Sequence, residues 1–403
     1  MNRRHDVIVV GAGILGLATA RVLLRRRPGL RLLVLEKEAS VGHHQSGHNS
    51  GVIHSGLYYQ PGSLKAKLCL TGARLMTEFC DEHEIPYERC GKLIIASSES
   101  EKERLLELRR RGTANGVSGL EIVGPEGIRQ IEPNARGLLG LYSPTTAIVD
   151  YATVTQVLAR EVERLGGTIA TSTPVRAISP VADGVVVTTL HDKVEAASLV
   201  SCGGLFSDQL ARMTGGPADP RIVPFRGDYL RLKPARRSMV RGLIYPVPDP
   251  ALPFLGVHTT RRLNGEIWLG PNAVLAFARA GYRFSNLSPR DLAATVLWPG
   301  FWRMARRYWQ TSLGEMYRDL NRRAFVRELQ RYLPELTEQD VEAGPSGVRA
   351  QALARNGTLV DDFVFTASGS VLHVRNAPSP GATSSLAIAA HIADELARAA
   401  ASD

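Results

Sequence analysis

The hydrophobic positions of the first forty residues follow a strand–helix–strand pattern. Residues 7–10 form a short β-branched apolar run, an amphipathic segment follows, and residues 32–35 form a second apolar run. Short runs of Val, Ile and Leu are typical of buried strands, and apolar side chains three and four residues apart are typical of a helix. The chain is therefore predicted to open with a β-α-β unit.

Farther along, the same patterns predict two groups of elements. Residues 151–166 have helical periodicity, residues 184–189 form a short β-branched strand, and residues 199–215 predict a buried strand, a glycine turn and a helix that return to the first sheet. The apolar segment at 91–98, the charged helix after it and the strands between 224 and 270 are expected to lie elsewhere. We predict that they form a second, antiparallel sheet.

Glycines at the first strand–helix junction have the spacing of a dinucleotide-binding turn. Gly11, Gly13 and Gly16 form a G-x-G-x-x-G motif, and Glu36 ends the second strand twenty residues after Gly16. The first glycine permits a tight turn, the second lets the backbone approach a pyrophosphate, and the third lets the helix pack on the strand. A carboxylate after the second strand can accept both ribose hydroxyls of an adenosine. The pattern leaves NAD and FAD both open.

Composition is typical of a globular protein. The 403 residues allow about two domains, and 49 Lys and Arg against 39 Asp and Glu give a formal charge of +10. This charge favours anionic partners, but the basic residues are scattered, which argues against a dedicated nucleic-acid-binding arm.

The four cysteines form no C-x-x-C pair, so reduced thiols in a cytoplasm are expected. The run at 7–20 resembles a secretory signal, but it contains the glycine motif, so we assign it to the fold; no other stretch is apolar enough to cross a bilayer.

The segment from residue 43 to 59, HHQSGHNSGVIHSGLYY, holds four of the ten histidines. A zinc site is one interpretation, but the segment has no Asp, Glu or Cys, and an ordinary surface loop is another. The favoured interpretation is a backbone-rich cradle, in which small residues lie close to a flat ring system while hydroxyls, amides and imidazoles supply hydrogen bonds. No metal is expected.

Long motifs resemble one enzyme family. Those motifs are HNSGVIHSGLYYQPGSLKAKLC (48–69), CGKLIIA (90–96), PFRGDYLRL (224–232), LIYPVPDPALPFLGVHTTR (243–261), LGPNAVLAF (269–277), SLGEM (312–316), GVRAQAL (347–353) and NAPSPGATSS (376–385). Together with the glycine motif they are similar to the L-2-hydroxyglutarate oxidase/dehydrogenase family, which belongs to the D-amino-acid-oxidase-like FAD-dependent oxidoreductases. The resemblance covers nearly the whole chain and implies FAD-dependent oxidation of L-2-hydroxyglutarate to 2-oxoglutarate.

The implied fold is α/β, with a discontinuous Rossmann-type FAD-binding domain and a second α+β substrate domain built on an antiparallel sheet. The expected FAD-binding segments are 1–85, 145–220 and 340–403, and the substrate segments are 86–144 and 221–339. The expected cofactor-binding residues are Gly11, Gly13, Gly16, Glu36, Lys37, Gln45, Ser46, His48, Asn49, Ser50, Gly51, Gly381, Ala382, Thr383 and Ser384. A helix starting near Thr383 is expected to point its positive end at the flavin.

The substrate carboxylate needs a bidentate partner, for which arginine is suited. Arg349 aligns with the carboxylate-binding arginine of related glycine oxidases, and Arg226 is a candidate for a second carboxylate or for bracing the cofactor domain. The proton acceptor is expected to be histidine. His54, which resembles a histidine beside the flavin in glycerol-3-phosphate dehydrogenases, is favoured over His258, and Tyr58 and Tyr59 are expected to line the pocket.

A tryptophan-rich segment raises the question of the electron acceptor. Helical spacing places Trp302, Ala305 and Trp309 on one face, with three arginines, Arg303, Arg306 and Arg307, to one side. Such a helix can lie on an anionic membrane and pass electrons to quinone, which predicts a cytoplasmic protein attached peripherally to the inner face of the cell membrane; a buried helix is the alternative. The acceptor, the oligomeric state and covalent flavin attachment stay open.

Two other functions are considered. The same scaffold can oxidise an amino acid or a glycerol phosphate in place of a hydroxy dicarboxylate. The charge of +10 raises a minor alternative, a flavoprotein that associates with nucleic acid. The second is disfavoured because basic and aromatic residues interleave only between residues 298 and 309.

Overall fold

The computed structural model describes residues 4–250 and 256–401, so residues 251–255 of the motif at 243–261, like the ends of the two terminal segments, lie outside the described part. The described α-helices are α1 (Ile14–Arg26), α2 (Leu64–Glu82), α3 (Glu99–Ala114), α4 (Pro125–Ile131), α5 (Tyr151–Arg164), α6 (Ser207–Met213), α7 (Pro289–Val296), α8 (Pro299–Arg307), α9 (Trp309–Leu320), α10 (Arg322–Leu329) and α11 (Ser385–Ala401). The described strands are β1 (His5–Val10), β2 (Leu32–Leu35), β3 (Val52–Ile53), β4 (Tyr87–Glu88), β5 (Lys92–Ala96), β6 (Glu121–Val123), β7 (Leu139–Ser143), β8 (Ala147–Val149), β9 (Thr168–Ala170), β10 (Ala177–Val181), β11 (Gly184–Thr188), β12 (Lys193–Ser201), β13 (Arg221–Leu232), β14 (Leu243–Pro246), β15 (His258–Arg261), β16 (Ile267–Gly270), β17 (Val274–Leu275), β18 (Val341–Leu353), β19 (Val364–Ser368) and β20 (Val371–Asn376).

The first sheet confirms the predicted β-α-β unit. Its order is β10-β11-β12-β1-β2-β9, β20 pairs with β12, and β1 runs parallel to both β2 and β12. Helices α1, α5 and α11 cover one face and bury apolar side chains there, among them Leu17, Leu158 and Ile392. Because β1, β2 and β12 are parallel, the loops that follow them meet at one edge of the sheet, where a ligand can bind.

The second sheet has the order β17-β13-β16-β15-β14-β5-β7-β6, with β18 paired to β13. It is antiparallel, as predicted, apart from the parallel pair β5–β14. One part of the predicted division differs, since residues 340–353 were assigned to the FAD-binding segments. The whole of β18 instead pairs antiparallel with β13, from Arg221↔Leu353 to Leu232↔Val341. The apolar residues of β18 therefore complete the second sheet, and the remaining domain boundaries stay a prediction.

One helical prediction also differs. Trp302, Ala305 and Trp309 were expected on one face of a single helix, but they belong to two helices, because α8 ends at Arg307 and Tyr308 leaves helical geometry before α9 starts. Trp298 is buried and donates from Nε1 to the carbonyl oxygen of Leu353 at 3.0 Å. Within the described residues we find no helix with the length and apolar character that a membrane span requires.

Candidate active site

A cavity of about 590 Å³ lies between the two sheets and is lined by residues of both. Its lining includes the predicted residues Gly11, Gly13, Gly16, Glu36, Lys37, Gln45, Ser46, His48, Asn49, Ser50, His54, His258, Arg349, Gly381, Ala382 and Thr383. Five predicted residues lie outside this lining: Gly51, Tyr58, Tyr59, Arg226 and Ser384. The structure thus brings most of the predicted residues together around one space.

The glycine turn requires its glycines. Gly11 has a φ of +104°, and a Cβ there would lie 2.6 Å from the carbonyl oxygen of Cys202. A Cβ on Gly16 would overlap the carbonyl oxygen of Gly11. Only glycine permits this conformation and this approach of α1 to β1. The first turn of α1 carries no acidic side chain, so its positive end stays available to an anion.

Glu36 is fixed at the end of β2. Its Oε2 accepts the N–H of Ala12 at 2.8 Å, its Oε1 accepts the N–H of Glu38 at 2.9 Å, and the residue is only 9% exposed. A carboxylate held by two backbone donors has a defined direction and further lone pairs for hydroxyl donors. This arrangement is suited to binding a ribose.

The histidine segment begins as a series of turns and contains the short strand β3, which pairs with β8. Ser46 Oγ accepts the N–H of Ile14 at 2.9 Å, which ties the segment to the start of α1. His44 lies between Glu38 (2.8 Å) and the hydroxyl of Tyr282 (3.1 Å), and the ring of His48 stacks on Tyr282 at 4.2 Å. Burial lowers the pKa of both imidazoles. These histidines line the cavity as neutral polar rings.

The residues fit the FAD that the resemblance implies. Gly11 and the open end of α1 can accept a pyrophosphate, and Glu36 can accept the ribose hydroxyls. At the other end, Gly381, Ala382 and Thr383 line the cavity just before α11 starts at Ser385. Among the described residues, no group of three or more His, Cys, Asp or Glu is placed to hold a metal ion.

Arg349 of β18 lines the cavity and is paired with Phe225 of β13. Burial lowers the pKa of its guanidinium, which stays charged near neutral pH. His258 is 5% exposed, and its Nδ1 lies 3.0 Å from the carbonyl oxygen of Gly256. Burial, followed by the nearby cations Lys92 and Arg349, lowers the pKa of His258 to about 3.

His54 follows β3 and lies at the same end of the cavity. Its backbone N–H donates to Thr383 Oγ1 at 3.2 Å, whereas its Nδ1 is buried and has no hydrogen-bond partner among the described residues. Burial and the cation of Lys92 hold the pKa of His54 well below its ordinary value. Both candidate bases are therefore neutral imidazoles at neutral pH.

Arg226, Tyr58 and Tyr59 lie behind the cavity wall. Arg226 is 3% exposed, and its guanidinium donates to Asp228 at 2.8 Å and to Asp319 at 3.1 Å. This geometry favours bracing over substrate binding. Burial raises the pKa of both phenols, and Tyr58 Oη has no hydrogen-bond partner among the described residues.

Sequence reasoning missed several lining residues. The ring of Tyr245 stacks on His258 with centroids 3.9 Å apart, and Tyr229 and Asp361 also line the cavity. The sequence predicted Cys202-Gly203-Gly204 only as a glycine turn. This turn follows β12, which runs parallel to β1, so it lies next to the glycine turn that follows β1 and lines the same cavity.

Comparisons with known proteins agree with this geometry. The family model described as "FAD dependent oxidoreductase" (DAO) matches residues 6–395. The L-2-hydroxyglutarate dehydrogenases of Nematostella vectensis, Homo sapiens and Escherichia coli O17:K52:H18 are 50%, 48% and 44% identical to the chain. The alignments cover 97–98% of this chain and 91%, 88% and 93% of those relatives, respectively.

Solved structures have the same fold. L-α-glycerophosphate oxidase from Mycoplasma pneumoniae with FAD bound superposes with a TM-score of 0.79 at 22% identity, covering 98% of this chain and 95% of that one. Glycine oxidase from Geobacillus kaustophilus superposes with a TM-score of 0.72 at 17% identity and the same coverage. With the family match spanning nearly the whole chain, the protein belongs to the FAD-dependent oxidoreductase family, and FAD is its cofactor.

Proposed function

We propose that this protein oxidises L-2-hydroxyglutarate to 2-oxoglutarate with FAD. The observation that carries the proposal is the 44–50% identity to L-2-hydroxyglutarate dehydrogenases along almost the entire chain. The cavity supports it, because Arg349 and two neutral imidazoles line the end away from the glycine turn. Bound FAD supplies the acceptor for the two electrons and the C2 hydrogen of the substrate.

The residues of the chain supply binding and proton transfer. Arg349 binds the carboxylate next to C2, since its planar guanidinium can donate two parallel hydrogen bonds. For the base we favour His258 over His54, which the sequence had favoured. The carbonyl oxygen of Gly256 can only accept, so Nδ1 of His258 carries the proton and Nε2 is left to accept the hydroxyl proton of the substrate.

An anaerobic titration of the yellow holoenzyme with each enantiomer of 2-hydroxyglutarate tests the proposal. The L enantiomer is expected to bleach the flavin band near 450 nm, a general flavin property, and to yield one 2-oxoglutarate per flavin. The D enantiomer is expected to leave the band unchanged. Bleaching by glycerol 3-phosphate or an amino acid in place of L-2-hydroxyglutarate would favour the alternative substrates of this scaffold.

We further infer that the protein attaches peripherally to an anionic membrane, at the cytoplasmic face, and reduces quinone. An apolar surface on α8 and α9, which we call the α8–α9 surface, supports this. Its exposed side chains are Trp302 (58%), Trp309 (56%), Leu313 (58%), Met316 (51%), Tyr317 (61%) and Leu320 (75%). Arg303, Arg306 and Arg307 of α8 add positive charge beside them. Contiguous exposed apolar side chains rimmed by cations are typical of proteins that bind membrane surfaces.

Cosedimentation with phosphatidylglycerol vesicles tests this attachment. The triple variant Trp302→Ser/Trp309→Ser/Leu313→Ser is expected to lose binding and quinone reduction while its flavin still bleaches with substrate. The matched control Val181→Ser/Leu190→Ser removes exposed apolar side chains elsewhere and is expected to bind as before. A wild-type protein that stays in the supernatant and does not reduce quinone would refute the attachment and the acceptor.

A further inference from the structure

The proposed substrate has two carboxylates, and each is expected to need a cationic partner in the site. A 2-hydroxy dicarboxylate carries two negative charges, and Arg349 provides a cation in the cavity lining. Two other cations of the lining have partners, since Lys37 pairs with Glu38 and Arg375 donates to the carbonyl oxygen of Pro220. The other predicted arginine, Arg226, is already bound to Asp228 and Asp319 and lies outside the lining. A cation that lies behind the lining and has no counter-anion is therefore a candidate partner for the distal carboxylate.

Lys92, the first residue of β5, is a buried cation with an unusual environment. The residue is 1% exposed, and among the described residues its Nζ has no hydrogen-bond partner. Its Nζ lies over two aromatic faces, 4.3 Å from the ring centroid of Tyr245 and 5.1 Å from that of Tyr58. A buried ammonium without a counter-anion costs several kcal/mol, roughly, and an incoming carboxylate would remove much of that cost.

Lys92 also lies outside the cavity lining, directly behind a ring that forms part of it. Tyr245, which lies under the Lys92 amine, stacks on His258 at 3.9 Å, and both rings line the cavity. Lys92 and Arg349 both act electrostatically on His258, and Lys92 also acts on His54. The proposed base thus lies within the electrostatic reach of two cations.

Two residues near Lys92 also have a buried polar atom without a partner among the described residues: Tyr58 (Oη), whose ring centroid is 5.1 Å from Lys92 Nζ, and His54 (Nδ1), on which Lys92 acts electrostatically. Each buried polar atom left unpaired costs about 1–3 kcal/mol. Three such atoms in one neighbourhood indicate a place that a polar ligand group or water completes.

We propose that Lys92 is the second cation of the substrate site and makes it selective for dicarboxylates. The proposal rests on the proposed function for the identity of the substrate, and it adds the residue that distinguishes a dicarboxylate from a monocarboxylate. Lys92 attracts the distal carboxylate from behind the Tyr58 and Tyr245 rings, while Arg349 binds the carboxylate next to C2.

Calorimetric titration of the holoenzyme with glutarate and with pentanoate tests Lys92, because these two acids differ only in the second carboxylate. The wild type is expected to bind glutarate tighter by about tenfold or more. In Lys92→Met this preference is expected to disappear, with pentanoate affinity unchanged. The matched control is Lys65→Met, which removes a lysine that is also buried but is paired to Asp361 at 2.7 Å, and it should keep the preference.

The effect of pH gives an independent readout. Burial lowers the pKa of Lys92 to about 7, with Cys69, Cys90, Tyr58, Tyr245, His54 and His258 as the titratable groups around it. The amine loses its charge above this pKa, so the preference for glutarate should decline as pH rises from 6 to 9. Lys92→Arg should keep the preference over this range, since arginine stays charged.

The outcomes separate this proposal from the proposed function. A yellow Lys92→Met protein that still prefers glutarate overturns the role of Lys92, even when L-2-hydroxyglutarate bleaches the wild type. So does a wild type without any preference, or a Lys92→Arg protein that behaves like Lys92→Met. A glutarate preference that depends on Lys92, in a wild type that L-2-hydroxyglutarate does not bleach, supports the selectivity and refutes the proposed substrate.

Discussion

At the scale of single residues, the proposed role of Arg349 in holding the substrate carboxylate can be tested directly. Arg349→Ala is expected to lower kcat/KM for L-2-hydroxyglutarate by about 10–150-fold, since a hydrogen bond to a charged group contributes about 1.5–3 kcal/mol. Steady-state kinetics measure this, and the flavin spectrum should not change. The control Arg231→Ala removes a partly exposed arginine of β13 that pairs with Glu342. Equal losses in both variants would show that Arg349 has only a structural role.

Gly11 gives a second prediction at this scale. Gly11→Ala is expected to lower the flavin content of the purified protein and its melting temperature, because the new Cβ would meet the carbonyl oxygen of Cys202 at 2.6 Å in a backbone with φ +104°. The absorbance ratio of flavin to protein measures the first effect. In Gly124→Ala, where a Cβ meets nothing within 4 Å, flavin content should stay normal. Full flavin content in Gly11→Ala would contradict the role assigned to the turn.

Among the elements, α6 is joined to the segment before α7 by a buried ion pair. Arg279 is 3% exposed, and its Nη1 and Nη2 donate to Oδ1 and Oδ2 of Asp208 at 2.7 Å and 2.9 Å, respectively. Asp208→Ala is expected to reduce the free energy of unfolding by about 3–5 kcal/mol, because it leaves a buried charge without its bidentate partner. Urea unfolding measures the loss. Asp6→Ala, which breaks the more exposed pair with Arg31, should cost about 0–1 kcal/mol, and similar losses in the two variants would argue against this account.

The elements also mark where sequence patterns succeed. The strands and the helix of the glycine unit were predictable because periodicity and the three glycines all indicate the same structure. The break at Tyr308 was not, since nothing in the local spacing distinguishes one amphipathic helix from two short ones. Lys92 was missed for a similar reason. A single lysine beginning an apolar strand is usually solvated, and only the pairing of β5 with β7 and β14 buries it.

The whole molecule is expected to lose stability in mild acid. His373 is 1% exposed, and burial, followed by the charge of Arg375, lowers its pKa to about 4. An unfolded histidine titrates near 6.5, so between about pH 6.5 and 4 only the unfolded chain gains the proton. This group therefore stabilises the fold above about pH 6.5 and loses that contribution as pH falls, by up to about 1.4 kcal/mol per pH unit.

Thermal unfolding between pH 7 and 4 checks this prediction. His373→Gln is expected to lose less stability than the wild type over that interval, whatever its stability at pH 7. His54 and His258, whose pKa values are also lowered, contribute in the same direction in both proteins. Parallel pH profiles for the variant and the wild type would contradict the assignment.

At the same scale, the overall architecture was largely predictable from sequence, and the candidate site partly so. Most predicted cofactor residues line one cavity because the glycine turn, the histidine segment and the turn before α11 meet at the edge of the first sheet. The place of β18 in the second sheet was not predictable, since strand pairing between residues more than a hundred positions apart leaves no local signal. The sequence left substrate binding and bracing both open for Arg226, because its partner Asp319 lies 93 positions away.

The two sheets divide the cavity between them, with Glu36 on the first and Arg349 on the second. Substitutions in the strands of the second sheet can therefore change the substrate during evolution, while the nucleotide-binding residues of the first sheet stay the same. The solved structures of L-α-glycerophosphate oxidase and glycine oxidase superpose along nearly their full lengths, so this two-sheet fold is shared. The same division is useful for protein engineering, since substitutions confined to the second sheet can alter substrate specificity without reducing FAD binding.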